Sequence, residues 1–307
     1  MDYFCGGVLL SNEHILTAAH CKPYMRLDGG DRALVGAKSF SESDRIRSLS
    51  RRYYVHEKYE TFTSDRFGQM SLYDFMILFL QSPLSNRCPV SFVKLPQVNA
   101  DTPSNMLNKP LMVVGWGSTL PVTPQQFLEH MQTNIEYPTQ LSFAMLYTYL
   151  YYVPKSICQL RWQQYFYDLG PVQGVHPHPE SPGILDTPGQ HFANLLRFDD
   201  ESGSSMLCAS ICTELELDEC ERKDERVGTC KGDSGSGLVY IDPNDPRKIP
   251  TLLGIVSFSG ACGYAEYPDV FGRVTKILDW IESKTYLTHN SHDHLLDEEH
   301  MPCICYN

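Results

Sequence analysis

At 307 residues the chain can bury roughly 75% of its unfolded surface, enough for one two-lobed domain or two small ones. Hydrophobic side chains make up 42% and charged ones 20%, which excludes a disordered chain. The formal net charge of −12, from 25 basic and 37 acidic residues, argues against a nucleic-acid partner.

In chain order, the runs "GGVLL" (6–10), "ALVGA" (33–37), "RRYYVH" (51–56), "FMILFL" (75–80), "LMVVGW" (111–116) and "LLGIVSFS" (252–259) are short, β-rich and bounded by Gly, Pro, Asn and Ser. That pattern predicts an all-β sandwich or barrel. The apolar stretch "LSFAMLYTYLYYV" (141–153) is too short to span a bilayer, and its "YLYY" reads as strand packing. "ICQLRWQQYFY" (157–167) reads as a short helix. Residues 168–205, with "GPVQGVHPHPESPG", read as a long inserted loop. Within "DVFGRVTKILDWIES" (269–283), Val274, Ile277, Leu278 and Ile281 repeat at helical spacing and predict a C-terminal helix. Residues 286–307 read as a polar tail. Its His289, His292, His294, His300, Cys303 and Cys305 match no usual zinc spacing, so no metal is expected, and no other cofactor.

Eleven cysteines are spread along the chain without a CxxC pair, which favours disulfides and an oxidising, secreted setting. The start "MDYFCGGVLL" does not read as a signal peptide, so the chain is expected to lack its true beginning.

Three separated words carry the chemistry. "GTCKGDSGSG" (228–237) places Ser234 between glycines after an aspartate; "LTAAHC" (16–21) holds His20; "SLYDFMILFL" sets Asp74 ahead of an apolar run. A serine hydroxyl is a poor nucleophile at its own pKa. It needs a base in reach and a third group to fix the base's tautomer. His20, Asp74 and Ser234 supply those three roles in the chain order His, Asp, Ser, which differs from that of subtilisins and α/β-hydrolases.

"TAAHC", "YDFMILFL", "VVGWGS", "CKGDSGSG" and "SFSGACGYAEYPDVFGRV", in that order, resemble the trypsin and chymotrypsin family of serine proteases over roughly residues 4–284. The resemblance implies two packed antiparallel six-stranded β-barrels, the first about 1–107 and N-terminally truncated, the second about 108–285, with a closing helix. It implies a serine endopeptidase with His20, Asp74 and Ser234 in the cleft, and Gly232 and Ser234 donating N–H groups to an oxyanion hole. A catalytically silent homologue that binds or regulates is the alternative. Protein or peptide substrates are the implied partners, with protein inhibitors beside them; no nucleic acid, no membrane and a monomer are expected.

By position in the family, Cys5 would pair with Cys21, Cys158 with Cys208 and Cys230 with Cys262. Cys212 and Cys220 lie in an unusual insertion and could pair with each other, while Cys88, Cys303 and Cys305 receive no partner. Active members pair a freed N-terminal ammonium with the aspartate before the nucleophile, here Asp233; this chain starts roughly two dozen residues too late to provide it, so either the sequence is a fragment or another group satisfies Asp233. For the specificity pocket the resemblance puts Gly228 at the base, Ser259 in place of a usual wall glycine where it narrows the entrance, Ser257 and Phe258 along the substrate backbone, and Asp269 on the facing wall where glycine is usual. An inward Asp269 implies a preference for Arg or Lys before the scissile bond, with looser discrimination.

Overall fold

A computed structural model describes residues 5–42, 45–64, 68–84, 90–98, 100–101, 103–123, 125–126, 139–168, 205–214 and 217–286. The expected insertion and tail, with Cys88, Cys303 and Cys305, lie almost wholly outside these residues.

Thirteen strands are described: β1 Val8–Leu9, β2 His14–Thr17, β3 Arg32–Leu34, β4 Ile46–Val55, β5 Glu60–Ser64, β6 Gly68–Leu72, β7 Met76–Leu80, β8 Pro110–Gly115, β9 Leu146–Val153, β10 Met206–Ser210, β11 Gly237–Tyr240, β12 Thr251–Phe258 and β13 Asp269–Arg273. The first half is an open five-stranded sheet in the order β1-β2-β7-β4-β3, with β5 and β6 forming a separate hairpin. The second half is a closed six-stranded antiparallel barrel, β10-β13-β12-β11-β8-β9. Three helices are α1 Pro103–Met106, α2 Lys155–Asp168 and α3 Leu278–Thr285.

Register decides where the loops point. Thr17 of β2 pairs with Met76 of β7, so the residues just after β2 and just before β7 emerge at one end of the sheet. In the barrel, Gly237 pairs with Ile255, Phe258 with Val270, and Ala209 with Asp269. The start of β11, the end of β12 and the start of β13 therefore share one rim.

The two halves and α3 meet in one apolar cluster. Leu16, Phe75, Ile77 and Phe79 from the sheet pack with Leu252 and Ile255 from the barrel and with Leu278 and Ile281 from the helix. Each such side chain contributes about 1.5–3 kcal/mol on full burial. The barrel has its own core around Leu111, Leu150, Leu238 and Phe271.

The C-terminal segment differs from its helical periodicity. Asp269–Arg273 is strand, Val274–Lys276 a single 3-10 turn, and the α-helix begins only at Leu278. All five residues of β13 are buried, because β10 flanks the strand on one edge and β12 on the other. Val274 and Ile277 are buried in the shared apolar cluster with Leu278 and Ile281, so their spacing reports a common core although α3 starts after Ile277. The segment 157–167 is helical as expected, within α2.

Candidate active site

His20 sits in a short 3-10 turn, Ala19–Tyr24, just beyond β2. A disulfide from Cys21 to Cys5 ties that turn down. Asp74 lies just before β7 and follows Tyr73, whose φ of 47° is in the left-handed region. A non-glycine residue held there costs about 1–3 kcal/mol, a strain that the surrounding packing must offset. Part of that packing is Phe75, fully buried, whose ring would lie 2.7 Å from a Cβ at Gly272 of the barrel.

Asp74 is 1% exposed and takes three hydrogen bonds. Its Oδ1 accepts the His20 main-chain N–H at 2.9 Å. Its Oδ2 is 2.7 Å from His20 Nδ1 and accepts the Ser257 hydroxyl at 2.6 Å. A carboxylate can only accept, so Nδ1 carries the proton and Nε2 keeps its lone pair. Burial alone pulls the His20 pKa down, but the Asp74 charge and hydrogen bond outweigh it and the net shift is upward.

Ser234 lies in the turn preceding β11. Its carbonyl accepts the Gly6 N–H at 2.7 Å, and the Gly6 carbonyl accepts Thr17 Oγ1 at 2.7 Å, so the turn is bonded directly to the first half. Gly235, with φ +85°, is required by this contact: a Cβ there would stand 2.2 Å from Thr17 Oγ1 and 2.4 Å from the Gly6 carbonyl. Gly232 has φ +103°, a conformation side chains rarely adopt. Among the described residues, neither the Gly232 nor the Ser234 N–H has a main-chain acceptor.

Asp233 directs its carboxyl to the main chain at Gly117 and Cys230. Its two carboxylate oxygens accept the N–H groups of Gly117 at 2.9 Å and Cys230 at 3.0 Å, so main-chain donors occupy the carboxyl that the resemblance assigns to an ammonium. Burial raises its pKa to about 6, against the pull of those two bonds. It borders a cavity of about 320 Å³ with Gly115, Gly117, Leu120, Arg226 and Gly228; His20, Ser234 and Asp269 do not line it.

Asp269 is 5% exposed at the head of β13. Its Oδ2 accepts the Thr229 N–H at 2.7 Å and would lie 2.9 Å from a Cβ at Gly228, so it turns toward the residue it was expected to face. Burial, with a smaller contribution from the Asp233 charge, lifts its pKa to about 7 against the Thr229 bonds. Ser259 Oγ donates to the Thr229 carbonyl at 3.4 Å, drawing the two wall segments together. Phe258 packs edge-on against Trp162 of α2, with ring centroids 5.4 Å apart. The Ser257 hydroxyl is committed to Asp74, which leaves its main chain as the part that can face a substrate backbone.

Disulfides join Cys5–Cys21, Cys158–Cys208, Cys212–Cys220 and Cys230–Cys262. The cluster of Cys5, Cys21 and His20 therefore holds two bonded sulfurs and offers no thiolates to a metal.

A sequence model of the family described as Trypsin matches residues 2–159 and 205–281. The chain belongs to the trypsin family of serine proteases. Among trypsin-family relatives, it is 25% identical over 281 residues to "Trypsin 5G1" of Aedes aegypti, covering 92% of this chain and 75% of that protein. It is 26% identical over 291 residues to "Brachyurin" of Leptuca pugilator, covering 93% and 89%, and 24% identical over 286 residues to "Trypsin" of Phaedon cochleariae, covering 93% and 80%. Two contributions to the site were not read from the sequence: the Thr17 hydroxyl, which stands in the histidine word and bonds the Gly6 carbonyl beside the serine turn, and Trp162 behind Phe258, whose partner lies in a distant segment.

Proposed function

We propose that this trypsin-family chain is a serine endopeptidase working through His20, Asp74 and Ser234. His20 Nε2 takes the Ser234 proton as Oγ attacks the scissile carbonyl. Asp74 holds the imidazole's tautomer and offsets the imidazolium charge, and the Gly232 and Ser234 N–H groups receive the oxyanion. His20 then protonates the leaving amine, and water, activated by the same base, releases the acyl group. The observation that carries this reading is the buried Asp74 carboxylate, bonded at once to His20 Nδ1, His20 N–H and Ser257.

The proposed preference is for Arg or Lys before the scissile bond, through Asp269, with some cleavage after large apolar residues. Its support is the placement of the Asp269 carboxyl against Gly228 and Thr229. A cationic side chain there meets a buried carboxylate, but one that already accepts a main-chain bond. The four disulfides support a secreted protein; family membership supports protein or peptide substrates, and a monomer is part of the same proposal. Among the described residues, no helix is long and apolar enough to cross a membrane.

Cleavage profiling of a peptide library with the parent and Asp269→Gly tests the preference. The parent should favour Arg and Lys, and the variant should lose that bias by up to roughly 3 kcal/mol, the upper range for a charge-assisted bond. An unchanged bias in Asp269→Gly removes the pocket assignment. A silent homologue would be indicated by no cleavage of any peptide.

A further inference from the structure

The wall of the proposed pocket is held from outside by two consecutive residues of α2. Trp162 Nε1 donates to the Pro268 carbonyl at 3.1 Å, directly before Asp269, and its ring supports Phe258. Arg161, only 7% exposed, reaches further. Its guanidinium donates through Nη1 to the carbonyls of Cys212 at 2.9 Å and Ala265 at 3.3 Å, and through Nη2 to the Glu214 carbonyl. Ser210 Oγ adds a second donor to Ala265, at 3.2 Å. Ala265 stands midway along the wall segment that leaves the Cys230–Cys262 bridge and ends at Asp269. Cys212 and Glu214 belong to the loop closed by Cys212–Cys220.

A buried guanidinium is costly to desolvate, and an apolar side chain would fill a helix position more cheaply. This one directs both terminal nitrogens to main-chain carbonyls of two different loops, while its buried Nε has no hydrogen-bond partner among the described residues. Its planar fork suits that task, since it presents several donors in fixed directions. Burial pulls its pKa down while Glu214 and Glu266 push back.

We propose that Arg161 is a positioning residue for substrate selection, coupling the disulfide-closed loop 212–220 to the pocket wall at Ala265. Among the described residues its hydrogen bonds reach neither the triad nor Asp269; it fixes how far the 262–269 segment stands from Gly228 and hence how Asp269 is presented. This inference rests on the pocket reading above. Loss of the guanidinium removes its bonds to the Cys212 and Glu214 carbonyls and leaves Ala265 held by Ser210 alone, so the wall drifts; binding of the side chain before the scissile bond suffers while the chemistry at Ser234 does not.

The test uses Arg161→Met, Arg161→Lys and the double variant Cys212→Ser, Cys220→Ser. Three readouts are steady-state hydrolysis of an arginyl peptide anilide, the rate of labelling by a small fluorophosphonate, and binding of p-aminobenzamidine followed by its fluorescence. Arg161→Met should raise KM and weaken p-aminobenzamidine binding about tenfold or more, the scale of one lost charge-assisted bond. Its kcat and labelling rate should stay within about threefold of the parent, a change too small to signal damage to transition-state stabilisation. Arg161→Lys should recover part of the binding, and the double cysteine variant should shift KM in the same direction. Unchanged KM and amidine binding in Arg161→Met would overturn the proposal, as would an equal fall in kcat, labelling and binding, which marks general damage. If Asp269→Asn leaves amidine binding unchanged while Arg161→Met weakens hydrolysis, the charge assignment fails and the coupling survives. A parent that neither turns over nor binds the amidine overturns both.

Discussion

Asp74 is the residue on which the site turns. Three donors converge on one buried carboxylate, and two of them come from His20 itself, which fixes both the ring and the main chain beneath it. Because the His20 pKa is shifted upward, the neutral base that the proposed mechanism requires for attack is reached only above the ordinary histidine value of 6.5. The acid limb of kcat/KM should therefore have its midpoint above that value. In Asp74→Asn the limb should move down as the charge partner disappears, and the rate should fall by several orders of magnitude because the wrong tautomer faces the serine. A pH–rate profile of both proteins reads this directly; a midpoint well below 6.5 in the parent would contradict it. Gly235 makes a second residue-scale demand. Gly235→Ala would place a Cβ inside van der Waals distance of Thr17 and Gly6 at a left-handed φ. Thermal unfolding should show a loss of at least about 1 kcal/mol, with a larger drop in activity than in stability, since what shifts is the serine turn.

At the scale of elements, strand ends do the placing. The β2–β7 register delivers His20 and Asp74 to one edge, and the β11–β12–β13 rim delivers Ser234, Ser257 and Asp269. A buried ion pair fixes the far end of β13: Arg273 donates to both oxygens of Asp101 at 2.6 and 3.0 Å, and Thr275 adds a bond at 2.8 Å. Asp101→Asn removes the carboxylate charge that the buried Arg273 guanidinium bonds through two nitrogens and should cost about 3–5 kcal/mol by urea unfolding. A loss below 1 kcal/mol would mean that Arg273 finds other partners. Much of the site was legible in sequence because its residues stand in short words of unusual chemistry, each beside an element that hydrophobic patterning locates. The partnerships were not. Asp101 and Arg273 are far apart in the chain, and neither neighbourhood hints at the other. The start of α3 was hidden because Val274 and Ile277 keep helical spacing before the helix begins, while Asp269–Arg273 are buried between β10 and β12.

Across the whole molecule, two buried carboxyls make the fold sensitive to pH. Asp233 and Asp269, at about 6 and about 7, both lie above their unfolded value of 3.8. A raised carboxyl stabilises the fold below its unfolded pKa and loses that contribution as pH rises through its folded one. For Asp269 the window runs from about 4 to about 7. Asp269→Asn should therefore gain stability relative to the parent across that window in thermal melts, with the advantage levelling off above it. A difference that does not change with pH would show that Asp269 is ionised throughout. The central claim remains that the two halves of this trypsin-family chain assemble an activated serine. The most direct measurement is fluorophosphonate labelling at alkaline pH of the parent, Ser234→Ala and Asp74→Asn, read by intact-mass spectrometry. The account predicts one adduct on the parent at Ser234, none on Ser234→Ala and strongly slowed labelling of Asp74→Asn; equal labelling of all three, or an adduct on the parent at a different residue, would contradict it.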